Sequence, residues 1–166
     1  MLLMTTTAAK AAGFVIGTAG ATEHHITTIT TPQDVYEVQF DPRKPASTAA
    51  TQGDATIKTW DISIIISAID RSNAAHKFFQ KMSECCELVA FAQENSGIWK
   101  MYGINYNPTT HSVIQWIGLS PAVDDITGES IEAGSQYDAR LEGKQNYLGL
   151  IVDAAVVTAL EAAIVI

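Results

Sequence analysis

The sequence predicts a mostly β protein, a β-sandwich or barrel with one flanking α-helix over about residues 72–85. Segments rich in threonine, valine, isoleucine and aromatic residues alternate apolar and polar positions, which is typical of half-buried strands. A single segment instead repeats its apolar residues at steps of three and four, as an amphipathic helix does. The chain has 166 residues, 47% of them hydrophobic, so one domain with its own core is expected.

Several segments of the sequence carry the strand pattern. The runs "DVYEVQF" and "ATIKTWDISIIIS" alternate at a period of two, and "SQYDARLEGK" alternates with one polar face. The runs "ELVAFAQ" and "IWKMYGI" are separated by "ENSG", in which Gly97 can adopt a positive φ. These two runs are therefore expected to form a hairpin.

The predicted helix follows the long β-rich run. Asp70 or Ser72 can accept hydrogen bonds from its first turn as the N-cap. Its apolar stripe requires a sheet to cover it, and it consists of Ala74, Ala75, Phe78, Phe79 and Met82.

The domain limits are predicted from changes in composition. Residues 1–12 are rich in threonine and alanine without periodicity, so a flexible N-terminal arm is expected. Residues 13–152 form the β domain, with a long loop at residues 41–55 that contains two prolines and many small polar residues. Residues 153–166 form a C-terminal segment that fits a helix or a strand and is assigned to a subunit interface.

Charge and motifs argue against several classes of function. The net charge of −8 is opposite to that of a protein that clamps nucleic acid. No GxGxxG, GxxxxGK[ST] or GxSxG motif occurs, and the four histidines at positions 24, 25, 76 and 111 show no metal-ligand spacing. We therefore expect a non-enzymatic protein with no catalytic, cofactor-binding or metal-binding residues, and neither terminus has the pattern of a signal peptide or a membrane span.

The order of the segments resembles that of the tail tube (major tail) proteins of tailed bacteriophages. A long strand precedes the helix with its paired phenylalanines, and "ELVAFAQENSGIWKMYGIN", "VIQWIGLS" and a glycine-bearing acidic loop, "DDITGESIEAGSQYDA", follow. The similarity covers about residues 56–150. The residues that carry it are Leu88, Val89, Ala90, Glu94, Asn95, Gly97, Trp99, Tyr102 and Gly103, with Thr127 and Gly128 in the later segment.

The resemblance implies a tail-tube-like virion structural protein. Its copies would join edge to edge in hexameric rings, and the rings would stack into a tube that conducts DNA during ejection. The partners would be further copies, other tail or neck proteins and passing DNA, in a virion tail assembled in the host cytoplasm without membrane insertion. The long loop would supply inter-ring or inter-subunit contacts, through Asp41, Arg43, Lys44, Thr48, Thr51 and Gln52. The candidate lumen-facing acids are Asp124, Asp125 and Glu129.

Two other interpretations remain open. The chain could be another virion part, such as a neck, connector or decoration protein, which would form rings that do not stack alone. It could also be a ligand-binding β-barrel or small enzyme. In that case Trp60, Trp99 and Trp116 would line one cavity.

Overall fold

The computed structural model describes residues 1–38, 47–52, 59–68, 73–84, 87–126 and 136–165. Within these ranges the chain is mostly β, a sandwich with a curled sheet and flanking helices, which confirms the predicted fold class. The strands are β1 (Leu2–Thr5), β2 (Phe14–Ile16), β3 (His25–Ile29), β4 (Tyr36–Glu37), β5 (Ser47–Gln52), β6 (Thr59–Ala68), β7 (Leu88–Gln93), β8 (Trp99–Tyr102), β9 (Ile104–Asn107), β10 (Ser112–Trp116), β11 (Ser120–Ile126), β12 (Gln136–Gln145) and β13 (Leu150–Val152). The helices are α1 (Thr6–Ala12), α2 (Asn73–Glu84) and α3 (Ala154–Glu161).

The N-terminal residues form a strand inside the larger sheet. This sheet has the order β2-β3-β13-β8-β7-β1-β4, and β1 is antiparallel to both of its neighbours. The prediction of a flexible arm over residues 1–12 is therefore wrong. Both faces of β1 are covered, so the run "LLM" is apolar at every position and shows no alternation. Thr5 then caps α1, because its hydroxyl accepts a hydrogen bond from the amide of Ala8 at 3.1 Å.

The smaller sheet is antiparallel throughout, with the order β11-β12-β6-β5. Strand β5 occupies residues that the sequence assigned to the long loop at 41–55. That assignment is wrong for Ser47–Gln52, while residues 41–46 and 53–55 lie outside the described residues. The segment "STAATQ" has no alternation of apolar and polar residues, because it consists of small residues, threonines and a glutamine. It forms a strand through its pairing with β6.

Two hydrophobic cores lie on the two faces of the seven-stranded sheet. The intersheet core lies between the two sheets and includes Leu3, Ala90, Ile64 and Leu141, with Phe79 of α2. The second core lies on the opposite face, beneath α1, α3 and β9. Its central members are Leu2, Met4, Val89, Phe91, Met101, Tyr106, Val156 and Leu160.

The helix α2 confirms the prediction for about residues 72–85. Its buried residues Phe79 and Met82 pack into the intersheet core, with Phe78 partly buried beside them. Two further helices, α1 and α3, cover the other face of the larger sheet. Asp153 precedes α3 as its N-cap, which settles the C-terminal segment as a helix after β13. No helix among the described residues has the length and apolar character needed to cross a membrane.

The hairpin of β9 and β10 is separate from both sheets. A buried glutamine supports its start: Gln145 accepts a hydrogen bond from the amide of Gly103 at 2.9 Å and donates one to the carbonyl of Tyr147. Gly103 has φ +100°, a conformation that glycine adopts at little cost. The chain therefore turns sharply between β8 and β9.

Candidate functional site

The smaller sheet ends in two strands that pair on one side only within the described part of the chain. These are β5, paired to β6, and β11, paired to β12. Three of the residues predicted to contact other subunits, Thr48, Thr51 and Gln52, lie in β5. The other three, Asp41, Arg43 and Lys44, lie outside the described residues.

The predicted lumen-facing acids are not in a loop. Asp124 and Asp125 belong to β11, where they stand opposite Asp138 and Tyr137. The prediction of a loop at these two positions is therefore wrong, because the antiparallel ladder between β11 and β12 continues to Ile126. Consecutive strand positions belong to opposite faces of a sheet, so the two positions do not share one face. Glu129 lies outside the described residues.

The outer face of the smaller sheet is polar. Ala139 and Leu141 are buried in the intersheet core, whereas the residues between and after them are exposed. On this face Lys144 Nζ lies 3.6 Å from Asp61 Oδ1, and Arg140 pairs with Glu142 at 3.6 Å. These four charges balance, so this part of the face has no basic stripe that would hold DNA phosphates.

The three tryptophans do not line one cavity. Trp60 packs against the intersheet core, whereas Trp99 and Trp116 pack against the second core on the opposite face of the larger sheet. A small cavity does lie between α2 and the larger sheet, beside Leu3, Tyr36, Phe78 and Met82. No tryptophan lines it, so this premise of the ligand-binding interpretation is wrong.

Five residues from three separate segments of the sequence meet beside the β9–β10 hairpin, and we call them the histidine cluster: Glu23, His24, Tyr106, His111 and Tyr147. The two imidazole rings are stacked, with centroids 5.3 Å apart and planes at 23°. The hydroxyl of Tyr106 lies 2.7 Å from Nδ1 of His24 and 3.2 Å from Nδ1 of His111. On the other edge of the rings, Glu23 Oε1 lies 3.6 Å from Nε2 of His24 and 4.0 Å from Nε2 of His111.

Tight turns bring the two histidines together. Asn107 accepts hydrogen bonds through Oδ1 from the amides of Thr109 and Thr110, which closes the turn that ends at His111. His24 follows a 3-10 turn at Gly20–Thr22 and directly precedes β3.

The side chain of Asn146 holds Tyr106 in place. Its Oδ1 accepts from the amide of Tyr106 and its Nδ2 donates to the carbonyl of the same residue, both at 2.8 Å. The side-chain amide of Asn146 thus makes the two hydrogen bonds that a neighbouring strand would otherwise make with Tyr106 of β9. Tyr106 is fully buried, and burial, with smaller contributions from Tyr147 and Glu23, raises the pKa of its hydroxyl. It therefore stays a neutral hydrogen-bonding group beneath both imidazoles.

The sequence did not reveal the histidine cluster. His24 and His111, which show no metal-ligand spacing in the sequence, lie side by side in the fold. His25 has a different partner, Asp153, at 3.0 Å. The turn "NPTTH" was the one available local signal, and it places a histidine at a turn without naming its partner.

Comparisons with models of protein families, with curated proteins and with solved structures found no match to this chain.

Proposed function

We propose that this protein is a self-assembling structural subunit, of the kind found in bacteriophage tail tubes, whose copies join through the edges of the smaller sheet. The observation that carries the proposal is the pair of edge strands, β5 and β11, described above. Unpaired edges invite pairing with another chain, and proteins usually protect them with charges, prolines or bulges. Strand β5 has none of these in its sequence "STAATQ", whereas β11 contains Pro121, Asp124 and Asp125, so β5 is the less protected of the two edges.

The two edges are complementary in direction. Each of the three pairings in the order β11-β12-β6-β5 is antiparallel, so β5 and β11 also run in opposite directions. If β5 of one copy joins β11 of the next, the antiparallel alternation continues across the interface. Such a head-to-tail contact uses two different surfaces of the subunit. Repetition of the contact closes into a ring when a whole number of copies completes one full rotation.

A ring of six copies, the number implied by the resemblance, gives a barrel of suitable width. Four strands from each copy make 6 × 4 = 24 strands. With neighbouring strands about 4.8 Å apart and tilted by up to about 40°, the barrel is roughly 35–50 Å across between backbones. Barrels of about 16–18 strands already contain an aqueous channel, so this barrel has room for a duplex.

The polar face of the smaller sheet suits the inner wall of such a tube. The larger sheet and α2 cover the opposite face, so the face with Arg140 and Glu142 is the one left for the lumen. Its charges are paired, and DNA that passes along it meets no strong attraction. The chain would act in a virion tail, after assembly in the host cytoplasm.

The test uses one edge substitution and one matched control. Thr48→Lys adds a charge near the start of β5, and natural edge strands use lysine in this way to prevent pairing. Thr7→Lys adds the same charge to the exposed side of α1, a helix that is not part of the smaller sheet. Wild-type protein and Thr7→Lys should form rings or tubes at high concentration, observed by negative-stain microscopy and sedimentation velocity.

The variant Thr48→Lys should sediment as a monomer with an unchanged circular dichroism spectrum. A wild-type protein that remains monomeric at the highest concentration contradicts the proposal. Rings of Thr48→Lys as abundant as those of wild type would move the interface away from β5. Rings of wild type that never stack would favour a neck or connector protein over a tube subunit.

A further inference from the structure

We propose that Glu23, His24 and His111 form a binding site for a divalent transition-metal ion, with Zn²⁺ as the chemically best-matched ion. This inference does not depend on the proposed function. Each residue offers one ligand atom, and the three atoms lie within 4.8 Å of one another. Two imidazoles and one carboxylate are a ligand set that zinc sites use, with further positions left for water.

Two of the three distances between ligand atoms are close to those of an occupied site, and the third, between the two imidazole nitrogens, is at most 4.8 Å. Zinc bonds to nitrogen and oxygen are about 2.0–2.2 Å long, which in a tetrahedron places the ligand atoms roughly 3.3–3.6 Å apart. Glu23 Oε1 already lies at 3.6 Å from one imidazole nitrogen and 4.0 Å from the other. A movement of a few tenths of an ångström by the carboxylate, whose side chain is 47% exposed, therefore completes this part of the site.

The residues behind the ligands match the usual surroundings of metal-bound histidine. In such sites the ring nitrogen that does not bind the metal donates to an oxygen, which fixes the tautomer and the orientation of the ring. Both Nδ1 atoms face the hydroxyl oxygen of Tyr106, and a hydroxyl oxygen has two lone pairs to accept them. Both Nε2 atoms are then free to bind the ion on the side of Glu23.

The backbone provides an independent observation. Among the described non-glycine residues, only His24 and His111 have positive φ, at +64° and +49°. Residues other than glycine adopt this conformation only with strain, and such strain concentrates at functional sites. The two strained residues are the two whose rings stack together, so the strain serves to bring these imidazoles side by side.

The test measures Zn²⁺ binding to the full chain by calorimetry, with Co²⁺ absorption as a spectroscopic report of nitrogen ligands. We expect one ion per chain and a rise in the thermal midpoint of several degrees at about 100 times the dissociation constant. His24→Asn and His111→Asn should each weaken binding by at least about 100-fold. Loss of a residue that only hydrogen-bonds to a metal ligand typically weakens binding by roughly 10–100-fold. Asparagine is chosen because it tolerates positive φ.

Three further variants separate ligation from folding. His25→Asn removes the neighbouring histidine, which bonds to Asp153, and should leave the affinity unchanged. Glu23→Gln, at an exposed side chain, should fold normally and weaken binding, and Tyr106→Phe should weaken it by about 10-fold.

No binding by wild-type protein overturns the proposal. Binding that survives in folded His24→Asn, His111→Asn and Glu23→Gln overturns it equally.

Discussion

Replacement of Leu3 by alanine tests whether the N-terminal residues are a structural strand. Leu3 is 1% exposed and lies in the intersheet core, where β1 pairs on both sides. Removal of a buried leucine side chain in a packed core costs about 2.7–5.0 kcal/mol, depending on how far the cavity collapses. A chain of this length gains roughly 0.35 kcal/mol per kelvin of unfolding entropy, so a loss of about 3 kcal/mol lowers the thermal midpoint by roughly 9 °C.

Urea denaturation followed by circular dichroism measures this loss. With an m-value of about 2 kcal/mol/M, the urea midpoint should fall by roughly 1.5 M at unchanged slope. The control is Thr7→Ala, an exposed position in α1, which should change stability by less than about 0.5 kcal/mol. A Leu3→Ala protein as stable as this control would refute the central position of β1.

Three further predictions concern stability and use the same denaturation assay. The side chain of Gln145 is 2% exposed, and Gln145→Leu leaves the amide of Gly103 and the carbonyl of Tyr147 without their hydrogen-bond partner, so it should cost about 2–4 kcal/mol of stability. The control Gln115→Leu, at an exposed position, should cost almost nothing, and equal losses for the two variants would contradict this prediction. Gly118→Ala should cost at least about 2 kcal/mol of stability, because φ is +74° and the new Cβ would lie 2.2 Å from Cβ of Glu87. Gly97→Ala should cost only about 1 kcal/mol, because its φ is also positive, +84°, but its new Cβ would meet no neighbouring atom. Burial and, to a smaller extent, Glu94 raise the pKa of Tyr102 above its usual 10. The neutral hydroxyl therefore contributes its full stabilisation below pH 10, and this stabilisation is lost as pH rises through the folded-state pKa. Tyr102→Phe should reduce the loss of stability at alkaline pH, and an unchanged dependence of stability on pH would contradict this prediction.

The parts of the fold with strong local periodicity were predictable from sequence. The stripe of α2 has Phe79 and Met82 facing the core, and the alternation in β12 puts Leu141 inside and Arg140 outside. The turn at Gly97 also follows from local chemistry, since glycine is the residue that adopts a positive φ at little cost. In each case the neighbours in sequence determine the conformation.

The errors fall where distant residues determine the conformation. Strand β1 is buried on both faces, so it lacks alternation, and its neighbour β7 lies more than 80 residues away along the chain. Strand β5 is short and rich in small residues, and its pairing with β6 overrides the loop-like composition. The histidine cluster likewise depends on two turns and on Asn146, which a single sequence does not bring together.

Hydrogen exchange across the smaller sheet tests the central claim, assembly through its edges, most directly. In a monomer, about half of the amides of β5 face away from β6 and have no ladder partner among the described residues, so they should exchange quickly. In the assembled fraction, the amides of Ser47–Gln52 and Ser120–Ile126 should both become slow, because each strand gains a neighbour. Assembled particles in which these two segments exchange as fast as in the monomer would contradict the claim.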